Sequence, residues 1–228
     1  TFRPHEAVTY EQALKMVVCT LGYQVDAEAT GGYPDGYRTQ ATSLKLTDGI
    51  SDRLYTDGAT RGMVAQIMFN ALEVPMRELS NNTWVTTDKT LLSDYLNVYK
   101  LKGTVVGIED STTSYCDTQA YEGQMVVEDL DGTEYVIDYY KYAENIASAN
   151  AKAEALKSNP DEYSSAYVEA YTKAYPTEYA KALDEVKPLI TSLLGQTVQI
   201  YYGQERNSED RWLVQIDTET YKNTDIEI

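Results

Sequence analysis

The chain has 228 residues, 43% of them hydrophobic, enough for one large or two modest domains with cores of their own. Its formal net charge of −17, with the 19 Lys and Arg residues scattered along the chain, excludes the basic face that nucleic-acid phosphates require. No apolar run approaches the roughly 18 residues of a membrane span.

Cysteine and histidine are equally restrictive. The two cysteines, Cys19 and Cys116, lie far apart in segments of different type, so neither a disulfide framework nor a CxxC metal or redox motif is present. A bridge between them would need two separate segments held in close geometry. His5 is the only histidine, which excludes a His-based triad and a multi-histidine metal site by counting. No catalytic residue, metal or cofactor is therefore assigned. A glycosidase carboxylate pair is defined by spatial separation and stays open at this level. The chain opens at Thr1, without Met and inside a motif, as expected of a fragment or processed form.

In chain order, the first signal is an echo. "TYEQALKMVVCTL" (Thr9 to Leu21) and "TRGMVAQIMFNAL" (Thr60 to Leu72) match in pattern at an offset of 51 residues. Each opens with Thr in an N-cap place, and each then carries apolar residues at helical spacing with a broad buried side. Gln12 completes a capping box with Thr9. Between the copies, "GGYPDGYRTQATSLKLTDGI" begins with turn residues and runs through an amphipathic segment carrying Tyr37, Ala41 and Leu44. The repeated unit is helix, loop, helix.

The segments "FRPHEAVTYEQALKM", "YPDGYRTQATSLKLTDGI" and "ATRGMVAQIMFNAL" together resemble the S-layer homology module, with its Phe-x-Pro turn, Thr-Arg helix start and Gly-Ile before a second loop. The likeness covers residues 1–74, the end of one repeat and most of the next, with a neighbouring repeat expected upstream. It implies an exported, extracellular protein of a Gram-positive surface, attached non-covalently to a secondary cell-wall polysaccharide, often a pyruvylated one. Helix N-terminal N–H groups beside an arginine suit a carboxylate, and Thr60 and Arg61 supply that pair. In the first copy Tyr10 stands where the family has arginine, so that groove is expected to be degenerate. Thr60 as a mere cap and Arg61 as a solvated charge remain open. Tyr37 is assigned to the same polysaccharide site as a stacking ring, with a core-edge role as its alternative.

Residues 75–98, with Pro75 and "SNN", read as a linker holding a short helix near "TLLSDYL". Residues 99–228 then read as a small antiparallel β-barrel or curled sheet: "KLKGTVVGIED", "GQMVVEDLDGTEYVIDYY", "QTVQIYYG" and "RWLVQIDTE" alternate or are rich in Val, Ile and Tyr. The Gly-Thr-Val start and the "LLGQTVQIYY" return resemble small β modules that follow S-layer homology repeats in clostridial surface proteins. Asp131-Gly132 suits a hairpin turn and lies in "EDLDGTE", which lacks an EF-hand's terminal ligand. Gly31-Gly32 has no phosphate-loop context. The expected fold class is α+β.

A helical insertion is expected at about 141–194, Ala-rich, with Asn159-Pro160 ending its first helix, Pro176 beginning or kinking a third and Pro188 standing before a final apolar turn. It carries tyrosines at 163, 167, 171, 175 and 179. A period of four drifts about 40° per step, so one straight helix cannot aim all five rings at one partner. Pro176 is expected to split the ladder, leaving Tyr163, Tyr167 and Tyr171 on one piece as either a packing face or an aromatic sugar surface. The expected function is non-catalytic attachment at the wall. The alternatives are a protein–protein assembly module with self-association, and an accessory domain of a surface hydrolase.

Overall fold

The computed structural model describes residues 7–50, 55–109 and 117–217. The chain divides into two compact units, Thr1–Leu96 and Asn97–Ile228.

In the first unit the echoed segments form α1 (Tyr10–Thr20) and α4 (Arg61–Ala71), two helices of 11 residues whose limits also differ by 51. Thr9 and Thr60 hold the same extended N-cap conformation, φ/ψ −75/161° and −79/159°. Between them lie α2 (Gln24–Ala29) and α3 (Asp35–Ser43). Leu14, Val18, Leu21, Tyr37, Leu46 and Ile67 are fully or almost fully buried in one shared core. The apolar sides are narrower than the spacing implied: Met16, Met68 and Phe69 are exposed, and Met16 and Met68 flank an apolar groove between α1 and α4 that Val17, Val64 and Leu72 also line.

The expected linker is instead part of this unit. Residues 77–86 form a hairpin, β1 (Arg77–Ser80) and β2 (Thr83–Thr86). Asn81 and Asn82 turn it with φ of 49° and 60°, the left-handed pair that a two-residue hairpin loop needs and asparagine tolerates. The hairpin is tied down by Arg77, which donates its N–H to the Leu21 carbonyl (2.9 Å) and ion-pairs with Asp26. Met76 is buried in the core. A single π-helical turn, Leu91–Tyr95, follows, capped by Thr90.

The second unit is built on β3 (Val98–Ile108), β4 (Gln124–Asp129), β5 (Glu134–Asp138), β6 (Thr197–Gln204) and β7 (Arg211–Asp217). They close into a ring in the order β3-β4-β5-β7-β6. All neighbours are antiparallel except β5 and β7, which meet in parallel at one pair, Asp138 and Trp212. A closed ring of five strands cannot alternate direction everywhere, so one parallel seam is a necessity of the odd count. Inward-pointing Leu101, Val105, Met125, Val127, Ile137, Ile200 and Leu213 fill the interior, following the two-residue period of strands.

Between β5 and β6 the chain leaves the barrel as α5 (Tyr140–Ser158) and α6 (Ser165–Ser192). The expected break at Pro176 does not occur: α6 is one helix of 28 residues that contains both Pro176 and Pro188. Each proline deletes one N–H donor, but Pro176 and Pro188 are exposed, as are Thr172 and Asp184 four residues earlier, so water can reach the carbonyls left without a donor. Ala143, Ala147, Ala151 and Ala155 form a stripe on α5, each 0–2% exposed. Facing this helix, Tyr167, Tyr171, Tyr175 and Tyr179 of α6 form a row of rings whose successive centroids lie 6.4, 5.9 and 6.1 Å apart. Both stripes have a period of four and drift in the same sense, which lets small and large side chains stay matched along the hairpin. The Tyr171 and Ser148 hydroxyls meet at 3.2 Å.

Candidate functional site

The two repeat-equivalent helices differ at their N-termini. In α4, Thr60 Oγ1 accepts the Met63 N–H at 3.2 Å and the Thr60 carbonyl accepts that of Val64. Among the described residues the N–H groups of Arg61 and Gly62 have no acceptor, and both residues are exposed. No acidic residue lies in the first turn, so the positive end of the helix dipole is uncompensated. The Arg61 guanidinium has no carboxylate within ion-pair distance among the described residues. Gly62 adds no side-chain bulk, so an anion can reach the backbone amides directly. Two amides, a hydroxyl cap and a guanidinium thus face solvent together.

At α1 the same end is closed. Tyr10 and Glu11 donate their N–H groups to the carbonyls of Asp57 (2.9 Å) and Tyr55 (3.0 Å), and Gln12 donates its own to Thr9 Oγ1 (3.3 Å). The Gln12 side chain returns a bond to the Thr9 N–H at 3.0 Å, completing the capping box. Glu11 compensates the dipole from the first turn, accepts from the Tyr33 hydroxyl at 2.9 Å and ion-pairs with Arg38. Tyr10 is 4% exposed and stacked on Tyr55, with centroids 5.3 Å apart. The backbone donors that an anion would use at this helix end are already engaged.

Tyr37 does not fit a stacking role. It is 1% exposed, and its hydroxyl donates to Glu28 at 2.7 Å. Burial, then the Glu28 carboxylate, hold its ionisation far above the ordinary tyrosine range. The ring is core and cannot meet a sugar. The proposed surface of Tyr163, Tyr167 and Tyr171 is also not formed: Tyr163 is 98% exposed ahead of α6, whereas Tyr167 is 7% exposed within the row of rings beside α5.

One cationic feature escaped sequence reasoning. The Lys15 ammonium lies 4.9 Å from the Tyr33 ring centroid and 4.8 Å from that of Tyr37, a cation–π arrangement. Residues 18 and 22 positions away supply the rings, and no local pattern announces such a contact.

Cys19 is a free thiol beside the Tyr37 hydroxyl (3.9 Å), while Cys116 and His5 lie outside the described residues. In "EDLDGTE", Asp129 Oδ1 accepts the N–H groups of Asp131 and Thr133, both at 2.9 Å. Those bonds, that of Thr133 foremost, hold the Asp129 carboxyl below the usual range. Its carboxylate shapes the hairpin turn, with Gly132 at φ 82°. Among the described residues no three His, Cys, Asp or Glu side chains are grouped to hold a metal, and no helix is long and apolar enough to cross a membrane.

No family model matches the chain, and no solved structure matches it. Over 102 residues it is 32% identical to the Middle cell wall protein of Brevibacillus brevis and 30% identical to the Surface layer protein of Brevibacillus choshinensis. The matched region is 43% of this chain and 9% of each relative. Across that region the chain is related to proteins of the bacterial cell wall and surface layer.

Proposed function

We propose that the chain is a non-catalytic module of a cell-surface protein of the S-layer type, which attaches to the Gram-positive wall by binding secondary wall polysaccharide. In this reading the first unit is of the S-layer homology type, and a carboxylate of the glycan, such as a pyruvate ketal, sits at Thr60 and Arg61. The observation that carries it is the contrast between an open α4 end and a closed α1 end. A carboxylate there accepts from the Arg61 and Gly62 amides and takes the guanidinium through two parallel bonds. The relatives' names supply the setting.

The test is co-sedimentation of the full chain with purified pyruvylated cell walls. Arg61→Ala should lose about tenfold or more in affinity, as expected for a charge-assisted bond of about 1.5–3 kcal/mol, and mild acid removal of the ketals should do the same to the parent chain. Undiminished binding by Arg61→Ala would overturn the site.

A second reading, assembly of copies of this chain, is favoured by one observation. Met16 and Met68, 56% and 58% exposed, rim the apolar groove between α1 and α4, and contiguous exposed apolar surface marks interaction sites. The tyrosine-bearing insertion, the expected assembly surface, has most of its rings turned into its own helix pair. Sedimentation velocity over a concentration series, with Met68→Glu as the disrupting variant, decides between a monomer and a self-associating chain.

A further inference from the structure

The barrel is least closed at its parallel seam. All five residues of β5 pair with β4, but only Asp138 meets β7, at Trp212. A cleft of about 330 Å³ opens there, lined by Gln124, Asp138, Lys141, Glu209, Asp210, Arg211 and Trp212, a volume at the small end of the range for small-molecule sites. Trp212 is seated against the backbone of Gly203, its cross-strand partner, where an added Cβ would stand 2.3 Å from the indole. Over the ring lies the Lys141 ammonium, 4.3 Å from the centroid. Lys141 is exposed and its four-carbon stem is flexible, so the cover is removable.

The polar groups around the indole are of both kinds. Asp138, Glu209 and Asp210 accept, while Lys141 and Arg211 donate. Gln124 Oε1 is committed to the Tyr121 N–H at 3.1 Å, which leaves its amide hydrogens as donors. An anion would satisfy the donors and meet three carboxylates against two cations, in a chain of net charge −17. A simple cation would meet Lys141 and Arg211. Sugar hydroxyls both donate and accept, and the C–H face of a pyranose matches an indole, apolar in body with a polar edge.

We propose that this cleft binds a neutral hexose or N-acetylhexosamine unit of a glycan, with its C–H face on Trp212 in the place that Lys141 covers in the free protein. The site is chemically distinct from the carboxylate site proposed at Arg61 and stands without it.

Trp84→Phe leaves Trp212 as the single tryptophan. The full chain with that change is titrated with chitotriose, with maltotriose and with trigalacturonic acid, following Trp212 emission. At least one neutral trisaccharide should give a saturable change, and trigalacturonic acid a weaker one or none. Glu209→Gln with Asp210→Asn should weaken binding about tenfold or more. Lys141→Ala uncovers the ring and should tighten binding about two- to fivefold, the cation–π contact converted to affinity. These surface variants leave the barrel core intact, so a loss of binding is not a loss of fold. Arg61→Ala should bind the neutral sugars as the parent does, which separates this test from that of wall attachment. No saturation by either neutral trisaccharide up to about 10 mM, a stronger response to the acidic one, or weaker binding by Lys141→Ala would overturn the proposal.

Discussion

Gly203→Ala sets two opposed effects against each other at one atom. Gly203 lies in β6 and its φ is outside the left-handed region, so alanine should gain about 0.5–1 kcal/mol from the smaller entropy of the unfolded chain. Against this, the new Cβ would lie 2.3 Å from Trp212 Cε2 and 2.5 Å from both Cζ2 and Nε1, where carbon atoms need about 3.5–4.0 Å. The indole must retreat by more than about 1 Å, and overpacking of this kind costs about 1–3 kcal/mol. The clash wins, with a net loss of about 1–2 kcal/mol. In a Trp212→Ala background the obstacle is gone, and the same glycine substitution should be neutral or stabilising by about 0.5–1 kcal/mol. Urea titrations of the four full-length chains, followed by far-UV circular dichroism, close a double-mutant cycle with a coupling of about 1.5–3 kcal/mol. Equal cost of Gly203→Ala in both backgrounds would refute the reasoning and place the need for glycine in the backbone.

Gly62→Glu places an acid where α1 has Glu11, with 3.9 Å of room to the nearest atom outside its immediate neighbours. Thermal melts should show stabilisation of about 1 kcal/mol from helix propensity and dipole compensation, while wall co-sedimentation falls as in Arg61→Ala. Ala151→Leu, in the buried stripe of α5, should destabilise by about 1–3 kcal/mol in urea, whereas Tyr163→Ala, 98% exposed, should change stability by less than about 0.5 kcal/mol. Glu109 and Asp129 give the second unit an acid-side pH dependence. Burial raises Glu109, but bonds from the Gly123 N–H, the Tyr139 hydroxyl and Lys187 bring it below its ordinary 4.5, and the Thr133 N–H leads in lowering Asp129 below 3.8. A depressed folded value means that their stabilisation is present above those ordinary values and is lost as pH falls through the depressed ones. Denaturant midpoints should therefore drop on acidification below about pH 4, and less steeply in Glu109→Gln.

What was legible in the sequence was what local spacing controls. Thr9 and Thr60 cap because the three-residue step from hydroxyl to amide is local, and the five strands show their two-residue alternation. Closure at the Asp138–Trp212 seam was not legible, because it follows from the number of strands and not from any segment. The hairpin at Asn81-Asn82 read as a linker, although its asparagine pair is a turn signal. The flanking four-residue strands are too short for alternation to register. Pro176 misled for a different reason: a proline removes one N–H and crowds the carbonyl four residues back, and whether the helix continues depends on packing and on water reaching that carbonyl, here at exposed Thr172, which are tertiary facts. The tyrosine ladder showed its period plainly, but its matching alanine row lies in another helix with the same period. Neither row alone identifies its partner. Of the site residues, Thr60 and Arg61 stand together because they are adjacent in the chain, while of the two roles open to Tyr37 the stacking one is excluded and the core one kept by burial that depends on neighbours far away.

The difference between the two helix ends has a source in the covalent order of the chain. At α1 the closing groups are the carbonyls of Tyr55 and Asp57, held beside the helix by the Ala59 N–H donating to the Val8 carbonyl at 2.8 Å. Moved on by the repeat length of 51, those positions become Val106 and Ile108, which are residues of β3 in the second unit. The chain stops repeating before it reaches the segment that would close α4, and a glycine stands at the position that carries Glu11 in α1. Two helices of one pattern therefore end differently among the described residues. Where the next loop arrives, the N-terminus is consumed as structure. At α4 the equivalent positions instead belong to a barrel strand, and among the described residues the Arg61 and Gly62 N–H groups have no acceptor, which is the donor capacity that the proposed acidic ligand would use.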